Sequence, residues 1–202
     1  MKTWFTSDTH FGHVNIIDYC NRPFHKAAAA CDLCGGSGRR PGTRRTGLPS
    51  IECKHPDVEA MDRTMVERWN GIVAPDDTVV HLGDFAFGSI GRVRSYVEQL
   101  HGRKMLIMGN HDRHKPRVYE ELGFLVRREP YQLGHLKLSH HPPWPVTAGQ
   151  VYLCGHIHGL WKTKTYEVLM PKPALLFNVG VDVRGFGPVQ LSDLGLDEGL
   201  IL

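Results

Sequence analysis

Along the chain, apolar positions recur at two different periods, and the switches between them outline the elements. Lys2 to Ser7 reads as a short strand ending at Asp8. From Asp57 the residues Met61, Met65, Trp69, Ile72 and Val73 return every three or four positions, which predicts an amphipathic helix with Asp57 as its N-cap. Thr78 to Leu82 predicts a strand ending at Gly83-Asp84, Ile90 to Leu100 a helix, and Lys104 to Met108 a strand ending at Gly109-Asn110-His111-Asp112. A short helix over Arg117 to Leu122 is stopped by Gly123. Beyond it the helical period disappears, and Phe124 to Leu133, Leu136 to Ser139, Val151 to Cys154 and Leu175 to Val181 read as strands without helices between them.

The order β-α-β-α-β-α followed by a run of strands predicts a layered α/β domain whose functional loops follow strand C-termini. Five predicted strand ends carry metal-capable or acid/base side chains. They are Asp8 with His10; Asp84; Asn110 with His111 and Asp112; His140 with His141; and His156 with His158. A set of Asp, Asn and His without Cys suits two borderline-hard divalent ions such as Mn, Fe, Zn or Mg better than a thiolate-type structural site.

Composition supports that focus on histidine. The chain has 202 residues, and 13 are His, more than a core or a random surface needs. Hydrophobic residues at 41% and charged residues at 22% are ordinary globular values, which excludes a disordered, collagen-like or disulfide-scaffold chain. The N-terminus carries no secretory pattern and no window approaches the roughly 18 apolar residues of a membrane helix. The expectation is therefore a cytoplasmic protein that does not enter membranes; its oligomeric state is left open. Five cysteines, an odd number that includes a C-x-x-C pair, fit a reducing compartment and metal binding.

Charge is unevenly spread. Residues 25–56 hold six basic side chains (Lys26, Arg39, Arg40, Arg44, Arg45, Lys54) against Asp32 and Glu52, together with five glycines and three cysteines. This stretch, +4 within a chain of net +3, reads as an insertion into the 1–202 domain. Cys31-x-x-Cys34 followed by Cys53-x-His55 resembles a zinc ribbon, with His25 or Cys20 as alternatives to His55 for the fourth ligand. A structural zinc would order a segment that lacks its own core. The competing reading is a solvated basic loop. Its arginines suit either a nucleic-acid backbone or a cover over a site for a polyanionic substrate.

The blocks D-T-H-F-G-H (8–13), G-D (83–84), G-N-H-D (109–112), S-H-H-P (139–142) and G-H-I-H (155–158) resemble, in kind and order, the calcineurin-like metallophosphoesterase superfamily. The resemblance covers roughly residues 1–24 and 57–190, and N-I-I-D-Y-C-N-R-P-F and W-N-G-I-V suggest its small single-domain bacterial and phage members. It implies an α-β-β-α sandwich of two mixed sheets. It also implies that Asp8, His10, Asp84 and His158 hold one divalent ion while Asp84, Asn110, His140 and His156 hold the other, with Asp84 bridging. The implied activity is hydrolysis of phosphomonoesters or phosphodiesters by a metal-bridging hydroxide, with His111 as acid and Asp112 orienting it. Substrates would be phosphoester small molecules or nucleic acid.

Several positions keep two readings. His141 competes with its neighbour His140 for the ligand position. His13 and Asn15 either line a phosphate pocket or cap the turn after the first strand, and Arg22 either grips a phosphate oxygen or forms a surface salt bridge. His81, inside a strand, reads as a structural histidine and Cys154 as a buried small apolar residue. Trp144 and Trp161 suit base stacking or rim packing. Gly83-Asp84 continues as Phe85-Ala86-Phe87-Gly88, without the D-R-G of serine/threonine protein phosphatases and dinucleoside-tetraphosphate hydrolases. A site with little lid material suggests a diester, a cyclic nucleotide or a nucleic-acid end. The alternative class is a non-catalytic binding or scaffold protein on this fold, against which the complete ligand set argues.

Overall fold

A computed structural model of the protein describes residues 1–26, 39–40, 51–52, 54–167 and 172–201. In chain order these form β1 (Thr3–Thr6), α1 (Ile16–Tyr19), β2 (Arg39–Arg40), β3 (Ile51–Glu52), α2 (Val58–Ile72), β4 (Thr78–His81), α3 (Ile90–Gln99) and β5 (Arg103–Ile107). There follow α4 (Pro116–Glu121), β6 (Phe124–Arg127), β7 (Tyr131–Leu133), β8 (Leu136–Leu138), β9 (Val151–Cys154), β10 (Thr163–Tyr166) and β11 (Ala174–Asn178).

Two sheets face each other. The first has the order β1-β4-β5-β6 with all pairs parallel, and an antiparallel bridge from Phe5 to Val189 flanks β1. The second is mixed, in the order β10-β11-β9-β8-β7, parallel through β11, β9 and β8 and antiparallel at both outer pairs. Alternation along the strands divides their side chains between two cores. Trp4, Val79 and Leu106 face the helices, whereas Phe5, Val80, Met105 and Ile107 fill the space between the sheets with Leu138, Leu153 and Phe177.

Helix α2 begins where Asp57 accepts a hydrogen bond from the Ala60 amide at 3.0 Å, and it buries Met61, Met65 and Trp69. Removing one of these large side chains would cost about 3–5 kcal/mol. All four helices place their buried residues against the first sheet. On the outer face of the second sheet, the described residues supply a small cluster of Tyr152, Ala174 and Leu176 with Val146, Trp161 and Tyr166. The expected two-sheet sandwich is thus present, with loops rather than described helices on that face.

Several elements depart from the predicted pattern, among them the unpredicted α1, β2 and β3. The stretch 124–133 is two strands in different sheets, because the chain crosses at Glu129-Pro130, where Pro130 has no N–H to continue a ladder. Strand β10, Thr-Lys-Thr-Tyr, was not predicted because this mostly exposed edge strand lacks apolar alternation. In the insertion, β2 and β3 pair antiparallel, and its two ends meet where the Lys26 amide donates to the His55 carbonyl at 2.8 Å. A bridge from Ser7 to Gly180 ties the end of β1 to the segment after β11, so the C-terminal ends of both sheets form one rim.

Candidate metal centre

The pairing of β1 with β4 continues past both strands into the loops. The amides of Asp8, His10 and Phe11 donate to the carbonyls of Gly83, Asp84 and Phe85, each at 3.0 Å. Within these loops and the one after β9, Asp8, His10, Asp84, His156 and His158 adopt left-handed backbone conformations (φ 45–70°). Such geometry costs a non-glycine residue about 1–3 kcal/mol and persists where the surroundings enforce it. Among the described residues only Asn21 and Phe186 share it, so the strain is concentrated on candidate ligands. Close packing of backbone against carboxylate explains two motif glycines: a Cβ at Gly109 would lie 2.2 Å from Asp84 Oδ1, and one at Gly155 2.5 Å from Asp8 Oδ2.

Asp84 occupies the middle of the rim. Its Oδ2 lies 3.4 Å from His10 Nε2 and 3.4 Å from His140 Nε2, while Oδ1 accepts the His111 amide at 2.8 Å. Among the described residues, four sets of side chains bring one donor atom each within 4.8 Å of one another: Asp8, His10 and His158; Asp8, Asp84 and His140; His140, His141 and His156; and Cys20, His158 and Asp182. Buried His10 Nε2 has no hydrogen-bond partner. A buried nitrogen left facing a carboxylate, within a converging set of oxygen and imidazole donors, fits hard to borderline divalent cations.

Hydrogen bonds set the imidazole tautomers. His140 Nδ1 donates to the Leu82 carbonyl at 2.8 Å, which turns Nε2 toward Asp84 and Asn110 Oδ1. His158 Nδ1 donates to Asp182 Oδ2 at 2.8 Å. This is the outer support that metal-binding imidazoles usually have. Burial opposes protonation of both rings, but Asp84 and Asp8 around His140, and Asp182 with Cys20 around His158, raise them to about 9 and about 10. Burial also opposes ionisation of Asp84, yet His140, His10 and the His111 amide outweigh it and hold the carboxyl below its ordinary range. At His10 burial outweighs the attraction of Asp84, and with the nearby Arg22, His158 and His13 it pushes the ring down to about 2.

The remaining predicted residues separate into groups. His140 is fully buried within the ligand cluster, while His141 is exposed and pairs with Glu129 Oε1 at 3.2 Å. The His111 ring lies 5.3 Å from the His10 ring. Asp112, expected to orient His111, has its carboxylate accepting the amides of Asp84, Phe85 and Gly109 at 2.8–3.0 Å, stapling the two central loops. His13 stacks on Phe87 at 4.4 Å, and exposed Asn15 precedes α1 without a side-chain cap.

Arg22 is buried, not a surface residue. Its buried guanidinium is bidentate to Asp182 at 2.8 and 3.0 Å, and it donates to the carbonyls of Asp8 and Thr9 and to Met61 Sδ, which occupies its donors. His81 is structural as expected, bonded to Thr9 Oγ1 at 3.0 Å. Buried Cys154 has its thiol pushed up to about 12 by burial. Trp161 packs on the outer cluster of the second sheet, and exposed Trp144 lies against Tyr166. Cys20 lies beside His158 and Asp182 in the rim. The proposed zinc cysteines Cys31, Cys34 and Cys53 fall outside the described residues.

Two supporting residues were missed. Asp182 follows the last predicted strand, so the rule that found the other sites extends to it. Glu129, whose Oε2 accepts the His140 amide at 2.7 Å, lies between β6 and β7 and carries no comparable signal.

Comparisons with known proteins give the family. The family model described as calcineurin-like phosphoesterase matches residues 1–174. An uncharacterized protein of Methanocaldococcus jannaschii is 30% identical over 198 residues, covering 95% of this chain and 88% of its own. The gene 66 protein of Mycobacterium phage L5 is 32% identical over 55% of this chain and 40% of its own length. Among solved structures, a protein of unknown function from Aquifex aeolicus superposes with a TM-score of 0.58 at 20% identity, over 96% of this chain and 97% of that one. No helix among the described residues is long and apolar enough to cross a membrane.

Proposed function

The chain belongs to the calcineurin-like phosphoesterase family, and from that premise we propose that it hydrolyses phosphate esters using two divalent ions held at this rim. Asp8, His10, Asp84 and His158 would hold one, and Asp84, Asn110, His140 and His156 the other. The observation that carries this reading is the placement of Asp84 Oδ2 at 3.4 Å from both His10 Nε2 and His140 Nε2. One carboxylate in that position serves two cations and offsets their repulsion. Such a pair of ions supplies Lewis-acid charge for the phosphoryl oxygens and makes water nucleophilic near neutral pH.

The protein's own groups do the rest. Leu82 and Asp182 hold His140 and His158 in the tautomers that present Nε2, and Asp112 fixes the loop carrying Asp84 relative to the loop carrying Asn110 and His111. His111 is tethered through its amide to Asp84 and hands a proton to the departing ester oxygen. Hydrolysis of bis-p-nitrophenyl phosphate and of p-nitrophenyl phosphate with added manganese tests the reading. Turnover that disappears on chelation is the expected result; inactivity of folded, metal-loaded protein would favour the scaffold alternative.

A further inference from the structure

Beside His111, the loops after β4 and β5 enclose a recess of about 120 Å³ lined by Ala86, Phe87, Gly88, His111, Arg113 and His114. No carboxylate lines it. The Arg113 guanidinium lies 4.7 Å from the Phe87 ring centroid, and Phe87 is itself stacked on His13. The arginine ion pairs among the described residues belong to Arg22 and Arg117, so Arg113 has no carboxylate partner among them. His114 Nε2 lies 3.3 Å from the Gly88 carbonyl, linking the two loops across the recess. The walls are therefore neutral or basic, and the aromatic ring holds a planar donor fork in place.

Resting on the phosphoesterase reading above, we infer that this recess binds a second phosphate, carried by the leaving group of the substrate. His111 is both its wall and the proton donor, so whatever is bonded to the departing oxygen extends into it. Arg113 meets that phosphate with paired N–H donors, which suit its oxygens better than a point charge does. The substrate class that follows is a phosphoester or phosphoanhydride whose leaving group brings a phosphate of its own. Two sources share this chemistry: a nucleotide chain, with phosphates on either side of a sugar, and a diphosphate, with phosphates on adjacent positions.

Binding distinguishes these sources without relying on turnover. Thymidine 3′,5′-bisphosphate, thymidine 5′-diphosphate and the two thymidine monophosphates are titrated calorimetrically into manganese-loaded protein and its Arg113→Ala and Arg113→Lys variants. Wild type should bind one doubly phosphorylated probe at least about tenfold more tightly than the monophosphates. Preference for the bisphosphate assigns the nucleotide chain, and preference for the diphosphate the anhydride. Arg113→Ala should erase that advantage and Arg113→Lys restore part of it. Equal binding of all probes to wild type, or an advantage that survives Arg113→Ala, overturns the inference. Failure of the phosphoesterase reading would look different: no hydrolysis of bis-p-nitrophenyl phosphate, with the Arg113-dependent preference intact.

Discussion

Around Asp8, His10 and His158 the protein invests buried charge, whereas around Asn110, His140 and His156 it relies on exposed side chains and backbone carbonyls. Asp8 and His10 have almost no solvent exposure, and His158 leans on Asp182, which is locked in turn by the buried Arg22 fork. In the second half His140 alone is buried, Asn110 and His156 face solvent, and the supporting Glu129 is 35% exposed. Both halves share Asp84. On the proposed two-ion reading, the difference would make the first position one for retention and the second one for access.

Breaking the shared element should have the largest effect. Asp84→Asn removes the common anion, and hydrolysis of bis-p-nitrophenyl phosphate should fall on the order of a thousandfold. A residual rate within tenfold of wild type would mean that the halves do not depend on a common bridge. Next comes Asp182→Asn, which leaves Arg22 buried and uncompensated and loosens His158. Chemical denaturation should show a loss of about 3–5 kcal/mol. Metal titration should show about 10- to 100-fold weaker binding of the first ion. Glu129→Gln, the matching change in the open half, should alter stability by less than about 1 kcal/mol. Equal losses from the two substitutions would dissolve the contrast.

A smaller effect depends on pH. His140 and His158 have folded-state values of about 9 and about 10, above the ordinary imidazole 6.5, so their protonation stabilises the metal-free fold. That contribution is complete below pH 6.5 and is lost as pH rises through 9 to 10. Ligation requires the neutral ring. Thermal unfolding of chelator-treated protein should therefore weaken between pH 8 and 10 more than that of manganese-loaded protein. Parallel losses would show that these two imidazoles are not the ligands.

Much of the rim was legible in advance because its residues follow strand ends, and a strand end is a local signal. Asp8, Asp84, Asn110 and His156 could each be found from the few residues before them. Arg22 could not be placed in this way, since its partner Asp182 lies 160 residues away and either residue alone reads as a surface charge. Asp112 was legible as part of G-N-H-D, but its role was not. Only the folded chain shows three amides from two loops converging on its carboxylate.

The amino-acid sequence by itself determined the order of the main strands and helices, the set of side chains able to meet a divalent ion and the glycines that let them pack, because periodicity and strand-end chemistry are properties of short segments. Tertiary structure alone decided which imidazole of the His140-His141 pair is buried, which carboxylates support which rings, and that Arg113 shares a recess with His111 without a carboxylate partner among the described residues. Those outcomes depend on groups brought together from distant parts of the chain, where burial and hydrogen bonding choose among side chains that local chemistry leaves equivalent.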